Sequence, residues 1–487
     1  MKKASFEDLK FRNKINTEDI TNDNSFIRLS TEYSDCSMPI CMDQYNICSG
    51  NCMYCFAYNF KTTNPALSKG NLKNIKSANM KKAEELFYGK SKNLFYKTLY
   101  EKIIKRKKVI QWGGLADPFD GYEKRFKIGE EIIKIFIDIG QPIRFSTKFM
   151  IPDNIKLLLE KNEKRNFAFM YSIITNSDEL SRRIEEETTL PSIRWQQLKY
   201  LSDLGYYTIV RLRPFMVGIT DKSLDEIFEN VLKYKVNAIS TEFFALQLTC
   251  GSSVRERNNL LFTEISDSNI DYYDMYKKAS KCTNRGTYLR LNRDIKEKYM
   301  RKIYKFCIEN KINLGVSDPD YKELNTGGSC CGLPDWKDQD GKYGNLSNYQ
   351  RSQMTELLIR KKREFWRLNN VDDLLKNKIV DVYFSINDFV NLDNEDIKFF
   401  YTTAEEVTIE WFGKQKMSLS SGELKTTSLF KIFLQNHWNN ITGPSGVQNY
   451  FDKKIIFDHF GDNNNAVYKY NPMPYEIIWQ KDFGINL

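Results

Sequence analysis

The chain has 487 residues, of which 41% are hydrophobic and 28% are charged, the usual balance of a soluble protein with a large core. No apolar run reaches membrane-spanning length, and the N-terminus lacks the apolar core of a signal peptide, so we expect a cytoplasmic protein without a membrane partner. The two histidines, His437 and His459, come late, which excludes a histidine zinc site, a histidine triad and a histidine general base in the first 400 residues. The net charge of +10 indicates either affinity for nucleic acid or simply a lysine-rich surface.

Strand and helix signals alternate after a polar, irregular opening stretch, residues 1–35, which we interpret as an N-terminal arm. Short apolar runs predict strands near residues 38–45, 109–112, 143–148, 167–175, 207–213, 238–245 and 312–317. Apolar residues spaced by three and four predict helices over 93–108, 126–139, 152–162, 193–204, 222–234 and 294–310. Strands alternating with helices of this length predict βαβ units and a parallel sheet.

Polar residues follow several of these strands, among them Lys148, residues 172–176, Arg213 and Asp318. In β/α barrels ligands gather at the carboxyl ends of the strands. The sequence therefore predicts an α/β fold whose core, residues 36–344, is a partial (β/α) barrel with a ligand site at that edge.

The character of the chain changes near residue 345, where we predict an added C-terminal α+β domain, residues 345–487. It opens with a basic helix over 351–367, in which Phe365 and Trp366 either stack on nucleic acid bases or pack at a domain interface. Further signals are a strand over 408–412, a helix over 426–438 and a loop over 443–446.

Three cysteines early in the chain, Cys48, Cys52 and Cys55, have the spacing C-x3-C-x2-C. Ten cysteines in a chain of this length indicate metal or redox chemistry in a reducing compartment rather than a disulfide scaffold. Three thiolates are one ligand short of a closed tetrahedral site, and a four-iron cluster held by them keeps one iron open for an exogenous ligand. The alternative is a zinc loop, which needs Cys36 or Cys41 as a fourth ligand.

With Tyr54 before its last cysteine, this pattern resembles the signature of the radical S-adenosylmethionine (SAM) family. The resemblance implies that Cys48, Cys52 and Cys55 hold a [4Fe-4S] cluster whose open iron binds the amino and carboxylate groups of SAM. It implies reductive cleavage of SAM to a 5'-deoxyadenosyl radical that abstracts hydrogen from a substrate. It also implies a reducing partner such as flavodoxin or ferredoxin.

Other stretches resemble the spore photoproduct lyase branch of that family, namely residues 112–119, 145–148, 171–175, 185–191 and 211–215. This resemblance implies that Lys148 and Ser172 contact the SAM carboxylate or ribose and that Asp117 lies beside the cofactor. Tyr54 and Arg213 complete the set of cofactor-binding residues that it implies.

The chain departs from that branch where the lyase has a hydrogen-donating cysteine, because Gly114 stands at the matching position. Glycine cannot donate a hydrogen atom, so repair of spore photoproduct is doubtful. We predict that the pair Cys330-Cys331 returns to the ligand edge as the catalytic thiols or, with Cys250, as ligands of an auxiliary cluster. The alternative for Cys250, and the expectation for Cys282 and Cys307, is a buried free thiol.

These observations leave three functional hypotheses. The first is a radical SAM enzyme acting on nucleic acid. The second is a radical SAM enzyme that modifies a peptide or protein and carries an auxiliary iron–sulfur cluster. The third is a zinc-stabilised nucleic-acid-binding protein without enzymatic activity.

Overall fold

The computed structural model describes residues 16–57, 74–247 and 288–333 with short gaps in each range, Leu261, and three strands beyond residue 379. The predictions for residues 351–367, 408–412, 426–438 and 443–446 lie outside the described residues, as do Cys36, Cys250 and Cys282. In the described part of the chain, no helix is both long and apolar enough to cross a membrane.

The strands in chain order are β1 (Asn16–Asp23), β2 (Ile27–Leu29), β3 (Ile40–Met42), β4 (Asn74–Ala78), β5 (Ile110–Trp112), β6 (Ile143–Thr147), β7 (Phe167–Ser172), β8 (Tyr207–Phe215), β9 (Ala238–Phe243), β10 (Leu246–Gln247), β11 (Tyr288–Leu289) and β12 (Asn313–Val316). The helices are α1 (Met80–Phe87), α2 (Leu94–Leu99, continued by a π-helical turn over Tyr100–Ile104), α3 (Gly121–Phe126), α4 (Ile128–Ile139), α5 (Asp153–Lys161), α6 (Asp178–Ile184), α7 (Pro191–Asp203), α8 (Leu224–Lys233) and α9 (Arg293–Glu309). This alternation confirms the predicted α/β fold.

The main sheet has the strand order β12-β9-β8-β7-β6-β5-β3-β2. All neighbours from β3 to β12 pair in parallel, and only β2 runs antiparallel, against β3. The strand ends therefore meet at a common carboxyl edge, as a partial barrel requires. β13 (Val380–Ser385), β14 (Ile456–Asp458) and β15 (Asn465–Tyr470) form a separate antiparallel sheet in the order β13-β15-β14.

The N-terminal stretch that we expected to be irregular contains two strands. β2 extends the main sheet at its edge, and β1 pairs in parallel with β4. The partner of β1 lies far along the chain, so short-range patterning does not reveal that pairing. The predicted helix over 126–139 is also divided, because Lys127 adopts a left-handed φ of 56° between α3 and α4.

The two faces of the main sheet differ in chemistry because side chains alternate along each strand. The outer face is apolar and packs against the helices; Trp112 meets Phe136 of α4 at 5.7 Å between ring centroids, and Phe145 stacks on Phe169 at 5.0 Å. We call the opposite face the inner face. Its polar positions are Gln111, Arg144, Ser146, Ser172, Arg211, Arg213, Ser240 and Glu242.

Candidate active site

The cysteine motif lies in the loop that follows β3, at the carboxyl edge of the sheet. Cys52 is buried, and Cys48 and Cys55 are partly buried. The backbone N–H of Gly50 donates to the Cys48 sulfur at 3.2 Å. A Cβ atom on residue 50 would lie only 3.2 Å from the Phe149 ring, so glycine allows this close approach without a shift of the ring.

Asp120, which follows β5, fixes the start of this loop. Its carboxylate accepts from the Ser49 backbone N–H at 2.6 Å, and the Ser49 hydroxyl accepts from the Gly121 N–H at 2.9 Å. Asp120 also accepts from Tyr122 N–H and Glu123 N–H and thereby caps α3. Ser49, the residue after Cys48, is therefore attached to the N-terminus of α3 through Asp120 and Gly121.

A buried ion pair anchors the other end of the loop. Arg194 of α7 and Glu185, just after α6, are 2.7 Å apart and at most 1% exposed. Tyr54 donates its hydroxyl hydrogen to Glu185, and the Met53 N–H donates to the Ile184 carbonyl at 2.8 Å. The residues that flank Cys52 and Cys55 are thus tied to α6 and α7.

Lys148 extends from the end of β6 toward the cysteines. Its ammonium lies 5.3 Å from the centroid of the Tyr54 ring. Burial disfavours its charge, but Cys52, Glu185 and Cys55 outweigh burial and raise the pKa of Lys148. Lys148 therefore supplies a positive charge beside Cys52, Cys55 and the Glu185 carboxylate.

Asp117 holds Lys148 in place. One of its carboxylate oxygens accepts from the Thr147 hydroxyl at 2.7 Å and from Phe119 N–H at 3.0 Å, and the other accepts from the Lys148 backbone N–H at 2.7 Å. Burial raises the pKa of Asp117, although these hydrogen bonds act to lower it. Both oxygens are engaged, so Asp117 is arranged to position the residue that faces the cysteines.

Burial raises the pKa of the Cys48 thiol, and nearby Asp120 and Asp117 add to the effect. Burial also raises the pKa of Cys52 to about 12, although Lys148 acts in the opposite direction. Both thiols are therefore protonated at neutral pH in the metal-free chain. Metal binding would have to displace these protons, as it does in other thiolate sites.

The donor chemistry fits an iron–sulfur cluster. Each cysteine of such a cluster binds a different iron, whereas one zinc ion needs every sulfur within about 2.3 Å of a single point. Among the described residues, no three His, Cys, Asp or Glu side chains are grouped so that they could hold one metal ion. Three thiols on one loop, a backbone N–H donor to one sulfur and a nearby cation match the features that stabilise and tune a cluster.

The other predicted cofactor residues lie further from the loop. Ser172 ends β7, and its carbonyl accepts from Arg194 at 2.7 Å, so it belongs to the same buried network. Arg213 of β8 instead forms an ion pair with Glu242 of β9. The structure thus gathers Tyr54, Asp117 and Lys148 around the cysteine loop and connects Ser172 to it, while the described contacts of Arg213 lie toward β9 and β12.

The segment 330–333 lies on the inner face, with Cys330 beside Ser317 at the carboxyl end of β12 and Cys331 deeper in the sheet. The Cys330 carbonyl accepts from the hydroxyls of Ser240 at 3.1 Å and Ser317 at 3.4 Å. Buried Cys331 packs with apolar residues from the amino-terminal halves of the strands, including Ala168, Ile209 and Ala238. The physical reason is apolar burial, which pulls the segment onto the floor of the sheet, and the catalytic role of both thiols stays a prediction.

The segment approaches β12 where glycine replaces a side chain. A Cβ atom on Gly315 would lie 2.7 Å from the Cys330 carbonyl oxygen and would overlap the Gly332 nitrogen.

Cys307, expected to be a buried thiol, is indeed fully buried within α9. Cys41 lies in β3, and its sulfur is 3.5 Å from the position that a Cβ of Gly114 would take.

Sequence reasoning missed two residues of this site, Arg194 and Asp120. Asp120 and Glu123 have the spacing of a helix N-terminal capping pair, so the start of α3 was open to prediction. Arg194 is a charged residue in an otherwise buried stretch of α7, beside Trp195 and Leu198. That pattern indicates that the Arg194 guanidinium needs an acidic partner, but it does not identify Glu185 as that partner.

The chain matches no protein-family model, and no curated protein is similar to it in sequence. Among solved structures it is similar to a spore photoproduct lyase mutant, with 13% identity over 61% of this chain and 80% of that chain and a TM-score of 0.45. A mutant of that lyase with bound AdoMet and dinucleoside spore photoproduct gives 12% identity, the same shares and a TM-score of 0.44. SuiB of Streptococcus suis bound to S-adenosylmethionine follows, with 12% identity over 58% of this chain and 51% of that chain and a TM-score of 0.35. The similarity to the lyase that the motifs predicted is therefore present, at low identity.

Proposed function

We propose that this chain is a radical SAM enzyme in which Cys48, Cys52 and Cys55 hold a [4Fe-4S] cluster. The observation that carries the proposal is that one loop at the carboxyl edge of a parallel sheet carries three thiols, two of which act on the charge of the nearby Lys148 ammonium. When bound and reduced, the cluster supplies the electron that cleaves SAM to a 5'-deoxyadenosyl radical.

The protein's own residues hold and orient this site. Lys148 offsets the negative charge of the thiolates and can pair with a carboxylate such as that of SAM. Asp117 positions Lys148 through its backbone N–H, and Glu185 positions the loop through Tyr54. Ser172 and Arg213 remain proposed contacts of the cofactor. Buried surroundings around Cys52 and Tyr54 also exclude water from the reacting groups.

The proposal is tested on protein purified without oxygen. We expect about four irons per chain, with matching sulfide, and release of 5'-deoxyadenosine after addition of SAM and dithionite. Cys52→Ala should lose both, whereas Cys307→Ala removes a thiol of the core of α9 and should keep both. Zinc in place of iron, with SAM left intact, would reject the enzyme and favour a zinc-stabilised binding protein.

A further inference from the structure

The inner face of the sheet carries a group of arginines that the proposed cofactor site does not use. Arg144 lies on β6, and Arg211 and Arg213 lie two residues apart on β8. Their neighbours Val210 and Leu212 belong to the apolar core on the outer face, so the arginines project to the other side. Register places Arg211 between Ser172 of β7 and Ser240 of β9.

Among the residues that the structure describes, acidic groups pair with only some of these arginines. Glu242 forms an ion pair with Arg213, and it also lies 3.8 Å from Arg290. One carboxylate therefore forms ion contacts with two guanidinium groups, and it acts on Arg211 only through its charge at a distance.

Arg144 is 3% exposed, yet the described residues provide no carboxylate partner for it. Its guanidinium donates to neutral oxygens, those of Gln111 at 2.5 Å and of the Ser146 hydroxyl. Its Nε, which is also buried, has no hydrogen-bond partner in the described structure.

Arg211 is still less satisfied. Its partly buried side chain forms no hydrogen bond or ion pair with any residue that the structure describes. Burial, together with the nearby charges of Arg213 and Arg144, lowers the pKa of Arg211 to about 10. A group with this pKa is protonated at pH 7, so the inner face holds two positive charges that form no ion pair with a residue in the described part of the chain.

Burying a charge without a partner is costly, and proteins retain such groups mainly where a ligand compensates them. A guanidinium presents five N–H donors in a planar fork that matches the oxygens of phosphate. A terminal phosphate carries about −1.5 to −2 charges at pH 7 and balances both arginines, whereas an internal phosphate carries one charge and balances one of them.

We propose that Arg144 and Arg211 bind a phosphate group of the substrate on the inner face of the sheet. The inference rests on the proposed function, because it names the substrate class of that enzyme as a nucleotide or nucleic acid. Segment 330–333 packs on the same face of the sheet, against Ala168, Ile209 and Ala238.

Titration calorimetry on the full chain tests the site with uridine, uridine 5'-monophosphate and the dinucleotide UpU as probes. We expect the monophosphate or UpU to bind at least ten times more tightly than uridine. Preference for the monophosphate identifies a terminal phosphate, and preference for UpU identifies an internal one. If uridine binds as tightly as both phosphate-bearing probes, or if a tetra-glutamate peptide equals them, the proposal is wrong whatever the variants do.

Variants then locate the site. Arg211→Gln should weaken binding of the phosphate-bearing probe by roughly 10- to 100-fold, the loss expected for hydrogen bonds to a charged group. Arg182→Gln removes an equal charge from an exposed position on α6 and should leave binding unchanged. Removing an unbalanced charge should also raise the unfolding temperature of the free protein, which loss of a structural arginine would not. Equal weakening in both variants would assign binding to surface charge and overturn the proposal.

The same samples are assayed for 5'-deoxyadenosine so that the two ideas can fail separately. Phosphate-dependent binding without cleavage of SAM would reject the radical SAM function and leave the anion site standing. Cleavage of SAM with no preference for phosphate would reject the anion site alone.

Discussion

Replacing Arg194 with methionine should destabilise the protein far more than a typical loss of an ion pair. Methionine roughly keeps the length of the side chain but removes the 2.7 Å contact with Glu185. It also removes the hydrogen bonds to the Thr189 carbonyl at 2.6 Å, the Ser172 carbonyl at 2.7 Å and the Thr188 hydroxyl at 2.6 Å. Glu185 then remains as a buried charge without its main partner.

Breaking a buried pair on one side costs about 3–5 kcal/mol. Glu185 keeps two donors, Tyr54 and Ser181, so we expect the lower end, about 3 kcal/mol. At roughly 2–4 °C per kcal/mol for a domain of this size, the unfolding midpoint should fall by about 6–12 °C. Differential scanning calorimetry measures this change. Iron content should fall as well, because Glu185 anchors the cysteine loop.

Lys199→Met is a matched control on the same helix. The ion pair of Lys199 with Asp203 is more than half exposed on both sides and should contribute at most about 0.5 kcal/mol. Adding Glu185→Gln to Arg194→Met should recover part of the loss, because the uncompensated charge disappears. Equal midpoints for Arg194→Met and Lys199→Met, or simple additivity in the double variant, would refute this reasoning.

Three further predictions concern single contacts of the site. Burial raises the pKa of Asp120 to about 8, above its unfolded value near 4, so between these pH values the folded chain binds a proton that the unfolded chain releases. The stability that this proton contributes is lost as the pH rises from about 4 to 8. The melting temperature of Asp120→Asn, measured relative to the parent, should therefore increase between pH 5 and pH 8.5. Gly315→Ala should force segment 330–333 off β12, lower stability by about 1–3 kcal/mol and increase iodoacetamide labelling of Cys331 measured by mass spectrometry; unchanged labelling would contradict the contact. Asp117→Asn leaves a single acceptor oxygen, which cannot serve both the Thr147 hydroxyl and the Lys148 N–H as the two carboxylate oxygens do. Lys148 should then be held less firmly, so SAM affinity measured by equilibrium dialysis should drop several-fold while iron content is retained.

The amino-acid sequence by itself determined most of the secondary structure of the core and the cysteine motif that we propose as the cluster site. Strands and helices followed from periodicity within ten or so residues, and Gly140 at the end of α4 adopts the left-handed conformation that closes a helix. The spacing of Cys48, Cys52 and Cys55 likewise lies within one short loop. Such features depend on neighbours in the chain, so a single sequence suffices to predict them.

Only the tertiary structure decided which distant residues meet. Tyr54 and Glu185 are 131 positions apart, and nothing in either local stretch selects the other. The destination of Cys331 also depended on packing, because the apolar floor of the sheet attracts a segment that local pattern places at the carboxyl edge.

The charge imbalance of the inner face has the same origin. Arg144 and Arg211 sit in ordinary-looking strands 67 positions apart, as their numbering shows (211 minus 144). Sheet order and strand register, which are set by burial of the outer face against the helices, turn both arginines to the same side. Long-range pairing of strands, rather than local propensity, therefore created the site that we propose for the substrate.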